Sequence, residues 1–140
     1  MEIAQLMTSP VVALRPSETA DTAARLLSRG NIGAVPVVDD GGRVVGILTD
    51  RDLVVRCMAA ALDPRQVPVS RIMTAAPALA QAQEDTEAVA ARMARHQVRR
   101  MPVVREGVLA GMVSLGDLAR TGAPGAAQAL AAICRNVSPR

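Results

Sequence analysis

The chain has 140 residues, half of them hydrophobic, with no Phe, Trp or Tyr, a formal net charge of +3 and a pI near 10.0. That length suits one compact core and is short for two independent ones. A core without rings must be built from Ala, Val, Leu, Ile and Met, so units of about 60 residues gain most by packing on each other and on a second chain. The basic residues are dispersed among acidic ones and there are no stacking rings, which argues against a nucleic-acid partner and favours a small phosphorylated ligand.

Met1-Glu2-Ile3-Ala4-Gln5 has neither the charge nor the apolar run of a secretory leader, and no stretch is long enough to span a membrane. A cytoplasmic protein without membrane contact is expected. Cys57 and Cys134 lack metal-ligand spacing. Two thiols in a reducing compartment are the simplest reading, and a disulfide within or between chains stays open.

In chain order, Val11 to Leu14 reads as a short lead-in strand after Pro10. Pro16-Ser17-Glu18-Thr19 is a turn and cap, followed by a helix over about 20 to 29 with Ala20, Ala23, Ala24, Leu27 and Ile32 as its apolar stripe. Gly30-Asn31 closes it. Strands follow at Ala34 to Val38 and Val44 to Leu48, joined by the Asp39-Asp40-Gly41-Gly42 turn. A second helix runs from Asp50 to about Ala60, its apolar side being Leu53, Val54, Cys57, Met58 and Ala61. Asp63 to Ser70 is a linker with two prolines.

The order then repeats. Met73-Thr74-Ala75-Ala76-Pro77 answers Met7-Thr8-Ser9-Pro10, Gln83 to Thr86 is the second cap region, and Ala88 to His96 is a third helix with Val89, Arg92 and Met93 at helical spacing. Strands at Met101 to Val104 and Leu109 to Val113 lead to a fourth helix, Leu115 to Arg120. Pro36 returns as Pro102, 66 positions on, and Asp52 as Asp117, 65 on, so the second copy lacks one turn residue. The chain is an internal duplication, with boundaries expected at 5–62 and 70–121. Residues 124–140 carry an Ala-rich helix, Ala126 to Cys134, and a loose end from Asn136 to Arg140.

Thr49 with Asp52, and Ser114 with Asp117, have capping-box spacing: the hydroxyl satisfies one orphan amide and the carboxylate another, for about 1 kcal/mol each. The same pair suits a ligand, because a helix start offers amides and a hydroxyl to phosphate while the carboxylate accepts ribose hydroxyls. That role requires the capping bond to leave one carboxylate oxygen free. Arg99 and Arg100 precede the second repeat's first strand, as surface cations or as a fork for phosphate. Their counterparts are Gly33 and Ala34. Arg51 opposes the helix dipole, a conflict that a phosphate would relieve. His96, in the last turn of its helix, suits a capping or surface role. Catalytic motifs of the Gly-x-Ser-x-Gly, His-x-x-x-His and Cys-x-x-Cys kinds are missing, and the methionines read as core fillers.

Met-Thr-x-x-Pro, a helix, Gly33-Ala34-Val35-Pro36-Val37-Val38 and Gly46-Ile47-Leu48-Thr49-Asp50-Arg51-Asp52-Leu53 together resemble the cystathionine-beta-synthase (CBS) domain. The second copy resembles it again through Val98 to Val104 and Gly111 to Asp117. The resemblance implies an α/β (α+β) fold: two pseudo-symmetric β-α-β-β-α repeats packed as one Bateman module, of the small stand-alone bacterial type that includes the hypoxic-response class. It also implies a homodimer of two such modules.

For ligands, the resemblance implies AMP, ADP, ATP or S-adenosylmethionine in the inter-repeat cleft, none of them an obligatory cofactor. Asp52 and Asp117 would take ribose hydroxyls, and Thr49 and Ser114 phosphate or ribose. The stretches Ile32 to Val35 and Val98 to Met101, with Ala34, Val35 and Met101 among them, would line the base or phosphate end, with Val12 and Ala78 or Leu79 near the lead-in strands. On the reading of the residues themselves, one of Arg99 and Arg100 would meet phosphate, with Arg51 as a second candidate. The missing cation at Gly33-Ala34 predicts one good site and one weak or empty one. The expected function is a non-enzymatic regulatory module that senses an adenine nucleotide or related metabolite and signals to an unidentified protein partner. The alternative is a stress-associated structural or protein-interaction module with no physiological small ligand.

Overall fold

The computed structural model describes residues 1–135; the expected loose end Asn136 to Arg140 lies outside the described residues. It has the expected mixed α/β character, with two three-stranded sheets and their helices in two compact units, residues 12–77 and residues 1–11 with 78–135.

In the unit spanning 12–77, α1 (Ala20–Gly30) buries Ala20, Ala23 and Leu27, the face set by three- and four-residue spacing. Ala24 and Ile32 of the expected stripe are exposed, since Ala24 lies at the edge of the buried face and Ile32 follows the helix end. Thr19 caps the start, its hydroxyl accepting from the Thr22 amide at 3.4 Å, and Asn31 closes α1 in the left-handed conformation at φ 49°. Strands β1 (Ala34–Val38) and β2 (Val44–Thr49) pair antiparallel. In their turn, one Asp39 carboxylate oxygen accepts from the amides of Gly41 and Arg43.

The expected lead-in strand at Val11 to Leu14 is reduced to a bridge between Leu14 and Val37. The linker is shorter than expected, because Val67 and Val69 are buried and α3 (Val69–Ile72) begins inside it. After α3, β3 (Thr74–Ala75) adds to β2 as the third strand.

The second helix also differs. It is α-helical only over Asp50–Asp52 (α2) and continues as π-helix over Leu53–Met58. The wider turn buries both Asp52 and Cys57, five residues apart, and leaves the intervening Arg56 exposed. Val54 and Met58 are exposed rather than packed, and Ala61 has left the helix with φ 59°.

The other unit repeats the plan. Strand β4 (Ala80–Gln81) lies parallel to β5 (Arg100–Arg105), which pairs antiparallel with β6 (Val108–Ser114). Helix α4 (Thr86–His96) starts two residues earlier than expected and buries Val89, Ala90 and Met93. Gln97 closes it at φ 58°, as Asn31 closes α1. The shorter hairpin turns at Glu106 and Gly107, both with positive φ. Helix α5 (Leu115–Arg120) and helix α6 (Ala126–Cys134) follow as expected, and Ala126, Ala129 and Ile133 of α6 join this unit's core.

The lead-in segments are exchanged between the repeats. Thr8 bridges Met112 on β6, whereas Thr74 pairs with Ile47 on β2. Each Met-Thr signature therefore completes the sheet of the other repeat. Met7 and Met73 have a more specific place than core filling: they lie against Gly111 and Gly46, where strand and lead-in approach closely.

Candidate functional site

The two strand-to-helix junctions have the same construction. Thr49 ends β2 in extended conformation, its hydroxyl accepts from the Asp52 amide at 3.1 Å, and Asp52 Oδ2 accepts from the Thr49 amide at 3.0 Å. At Ser114 the corresponding distances are 3.0 and 2.9 Å. Both expected capping boxes are formed.

Each box is anchored to the segment before the first strand of its repeat. The Asp50 amide donates to the Gly33 carbonyl at 3.0 Å, and the Leu115 amide to the Arg99 carbonyl at 2.8 Å. Ala34 faces Thr49 in the sheet register, as Arg100 faces Ser114. Thr49, Asp52, Ala34 and Val35 thus form one cluster, and Ser114, Asp117, Arg99, Arg100 and Met101 another. Val35 and Met101 are fully buried in their own cores, so main chain is what they present at these clusters.

The second carboxylate oxygens differ. Asp52, only 8% exposed, has Oδ1 3.8 Å from Arg56 Nε, beyond hydrogen-bond length. Asp117 Oδ1 is held by Arg120, whose side chain is largely exposed. The capping bond leaves Asp52 an oxygen able to accept from a diol, while on Asp117 the exposed Arg120 side chain must first move aside.

The amides differ as well. In α2 the first three are all engaged: Asp50 with Gly33, Arg51 with Asp50 Oδ1 at 2.8 Å, and Asp52 with Thr49. This helix start keeps no spare amide for phosphate, contrary to the simple capping picture. In α5 the Gly116 amide alone of the first three has no partner among the described residues.

The cations are distributed unevenly. Arg51 is exposed and makes no ion pair among the described residues. Arg99 and Arg100 are exposed, and the Arg99 guanidinium lies 3.6 Å from the Cys134 sulfur on α6. That contact joins residues 35 apart and had no sequence signal. His96 is exposed at the end of α4. Both cysteines are free thiols, Cys57 buried and Cys134 exposed.

A second polar site was missed by spacing alone. Arg92 forms a bidentate fork with Glu84 at 2.7 and 2.6 Å and donates to the Leu79 carbonyl at 2.9 Å. The guanidinium holds the Glu84 carboxyl below the usual range, against the opposing effect of partial burial and with help from the Gln81 amide. Among the described residues no His, Cys, Asp and Glu side chains gather as a metal cluster, and no helix is long and apolar enough to cross a membrane.

The comparisons agree with this duplicated architecture. Two curated relatives are a CBS domain-containing protein, YhcV of Bacillus subtilis, and hypoxic response protein 1 of Mycobacterium tuberculosis. YhcV is 41% identical over 81% of this chain and 79% of its own. Hypoxic response protein 1 is 35% identical over 82% of this chain and 80% of its own. A crystal structure of hypoxic response protein I with two coordinated zinc ions has TM-score 0.80 at 33% identity, covering 86% of this chain and 98% of that one. The CBS domain protein PAE2072 from Pyrobaculum aerophilum, complexed with AMP, has TM-score 0.77 at 26% identity, covering 84% and 90%. The CBS domain pair of protein MJ0100, complexed with 5'-methylthioadenosine and S-adenosyl-L-methionine, has TM-score 0.76 at 26% identity, covering 87% and 95%. The CBS domain signature matches twice, over residues 3–58 and 69–123, and the chain belongs to the CBS domain family.

Proposed function

We propose that the chain is a non-catalytic regulatory module that binds an adenosine-containing ligand at its capping-box junctions, AMP, ADP, ATP or S-adenosylmethionine being the class. The observation that carries this reading is the twinned aspartate: each has Oδ2 fixed on the cap amide, and at Asp52 the other oxygen has no hydrogen bond among the described residues. A carboxylate so held is oriented before a ribose diol arrives, which reduces the ordering cost of binding. Similar CBS pairs crystallised with AMP and with S-adenosyl-L-methionine support the ligand class. The two junctions divide the work, Asp52 offering the freer oxygen and the Ser114 junction offering the Gly116 amide with Arg99 and Arg100 nearby. One site is accordingly stronger than the other.

The module works as a cytoplasmic homodimer whose occupancy is read by a protein partner. Support for the dimer is the row of exposed apolar side chains at Val54, Val55 and Met58.

A second reading, a stress-associated structural or protein-interaction module without a small ligand, is favoured by the complete engagement of the α2 amides. Binding decides between the two. Because the chain lacks Trp and Tyr, a band near 260 nm in purified protein free of nucleic acid reports a retained nucleotide directly. Calorimetric titration with AMP, ATP and S-adenosylmethionine follows, on wild type, Asp52→Asn, Asp117→Asn and the double variant. The asparagines keep an oxygen for the cap, and each is expected to weaken its site by about 10-fold. Wild-type protein silent to millimolar ligand favours the ligand-free reading, and a double variant that binds as wild type does removes the capping-box junctions as the binding site.

A further inference from the structure

The two repeats fill one equivalent place differently. An offset of 66 positions relates Leu14, bridged to Val37, to Ala80, paired with Val103. The same offset brings Ala13 onto Leu79, Glu18 onto Glu84 and Leu26 onto Arg92. In the later repeat the Arg92 guanidinium fills the place, bridging the Glu84 carboxylate and the Leu79 carbonyl. In the earlier repeat the side chain there is Leu26, which carries no donor.

Beside Leu26 lies a shallow, solvent-open cavity of about 500 Å³ whose lining includes Ala13 and Glu18. Among the described residues, the Glu18 carboxylate has a single partner, the Arg15 amide at 2.8 Å, and the Ala13 carbonyl has none. The acceptors that one repeat commits to an internal arginine are thus left open in the other, at a cavity of ligand size.

The lining also holds two cations. Arg25 and Arg29 stand one turn apart on α1, and Arg25 shares its charge with Asp21 at 2.8 Å. Arg29 has no ion pair among the described residues. The counterpart of Arg25 is Ala91, so the pair of arginines is peculiar to this cavity. A plain cation meets repulsion from the arginines, and a plain anion meets it from Glu18. A molecule with both charges satisfies both ends, and Val12 and Leu26 offer an apolar wall to the stem between them.

We infer that this cavity binds a small amino-acid-like zwitterion, its guanidinium or ammonium head on Glu18 and the Ala13 carbonyl and its carboxylate on Arg25 and Arg29. Thr49, Asp52, Ser114 and Asp117 take no part; Val12 alone is shared with the surroundings expected for an adenosine ligand, and recognition of the two charged ends stands apart from that reading. The recognition is charge-assisted hydrogen bonding at both ends.

The test is calorimetric titration of the full chain with L-arginine and L-lysine. Agmatine, which lacks the carboxylate, and L-citrulline, whose head is neutral, serve as controls. At least one of the two amino acids is expected to bind, with agmatine and L-citrulline weaker than L-arginine by about 10-fold. Glu18→Gln, which retains an acceptor for the Arg15 amide, is expected to weaken binding by about 10- to 100-fold. Leu26→Arg supplies the head internally, and is expected to abolish binding and raise the melting temperature. Asp52→Asn is expected to leave this binding unchanged while affecting only adenosine ligands. Absence of heat and of thermal shift with both amino acids to millimolar concentration overturns the inference. So does binding that Glu18→Gln leaves intact, a criterion that holds even if Leu26→Arg fails to fold.

Discussion

The thioether of Met73 occupies the space that a side chain on Gly46 would need: a Cβ there would lie 2.4 Å from the Met73 sulfur. At the equivalent place a Cβ on Gly111 would lie 2.6 Å from the Thr8 carbonyl oxygen and 2.7 Å from the Met7 sulfur. One obstruction is side chain alone, and the other includes backbone. Gly46→Ala is expected to cost about 1–3 kcal/mol by overpacking, and Met73→Ala in the same chain should recover much of the loss. Gly111→Ala is expected to cost more and to resist rescue by Met7→Ala. Denaturant melts of the single and double variants check both statements, and equal rescue at the two glycines contradicts them.

That relationship also marks where sequence reading reached its limit. The repeat, the hairpin strands, the left-handed closure at Asn31 and both capping boxes were legible because each rests on local chemistry. A hydroxyl three residues before a carboxylate carries its reason in the sequence. The exchanged Met-Thr segments were not legible, since nothing local says which sheet an extended lead-in joins. The π-helix after Asp52 was read as ordinary helix for the same reason. Its cause is the joint burial of Asp52 and Cys57, a tertiary demand that overrode helical periodicity. At the candidate site, sequence placed Thr49 near Asp52 and Ser114 near Asp117. It was silent on which second oxygen an arginine holds, because Arg56 and Arg120 choose their partners through side-chain geometry.

The Glu84–Arg92 pair gives stability a specific dependence on pH. Pairing lowers the Glu84 carboxyl, so over the titration range the unfolded chain binds more protons there than the folded one. The stabilisation is fully present above the ordinary glutamate value of about 4.3 and is lost as pH falls through the lower folded value. Arg92 is shifted upward, so its own contribution changes only at extreme alkalinity. Arg92→Leu, which copies Leu26 of the earlier repeat, is expected to cost about 1–3 kcal/mol near neutrality and to flatten the decline of stability below about pH 4.3. Chemical denaturation of the variant and wild type across acid pH reads the difference, and parallel acid slopes overturn the assignment.

The exposed side of the second helix carries the proposed dimer. Val54, Val55 and Met58 are 54%, 49% and 75% exposed, close together in sequence on a single π-helical stretch. Covering them removes apolar area from water at roughly 25 cal/mol per Å², a gain available without rearranging the core, because Leu53 and Cys57 are the residues of this stretch that pack inward. A carboxylate placed in such a contact must be desolvated in both partners of a symmetric pair, which opposes association twice over. Val54→Glu with Met58→Glu is therefore expected to turn a dimer into a monomer while the circular dichroism spectrum and melting cooperativity persist. Sedimentation equilibrium over a range of concentrations measures this directly. A variant that sediments as the same dimer places the interface on another face, and a wild-type chain that is monomeric throughout removes the dimer from the proposed function.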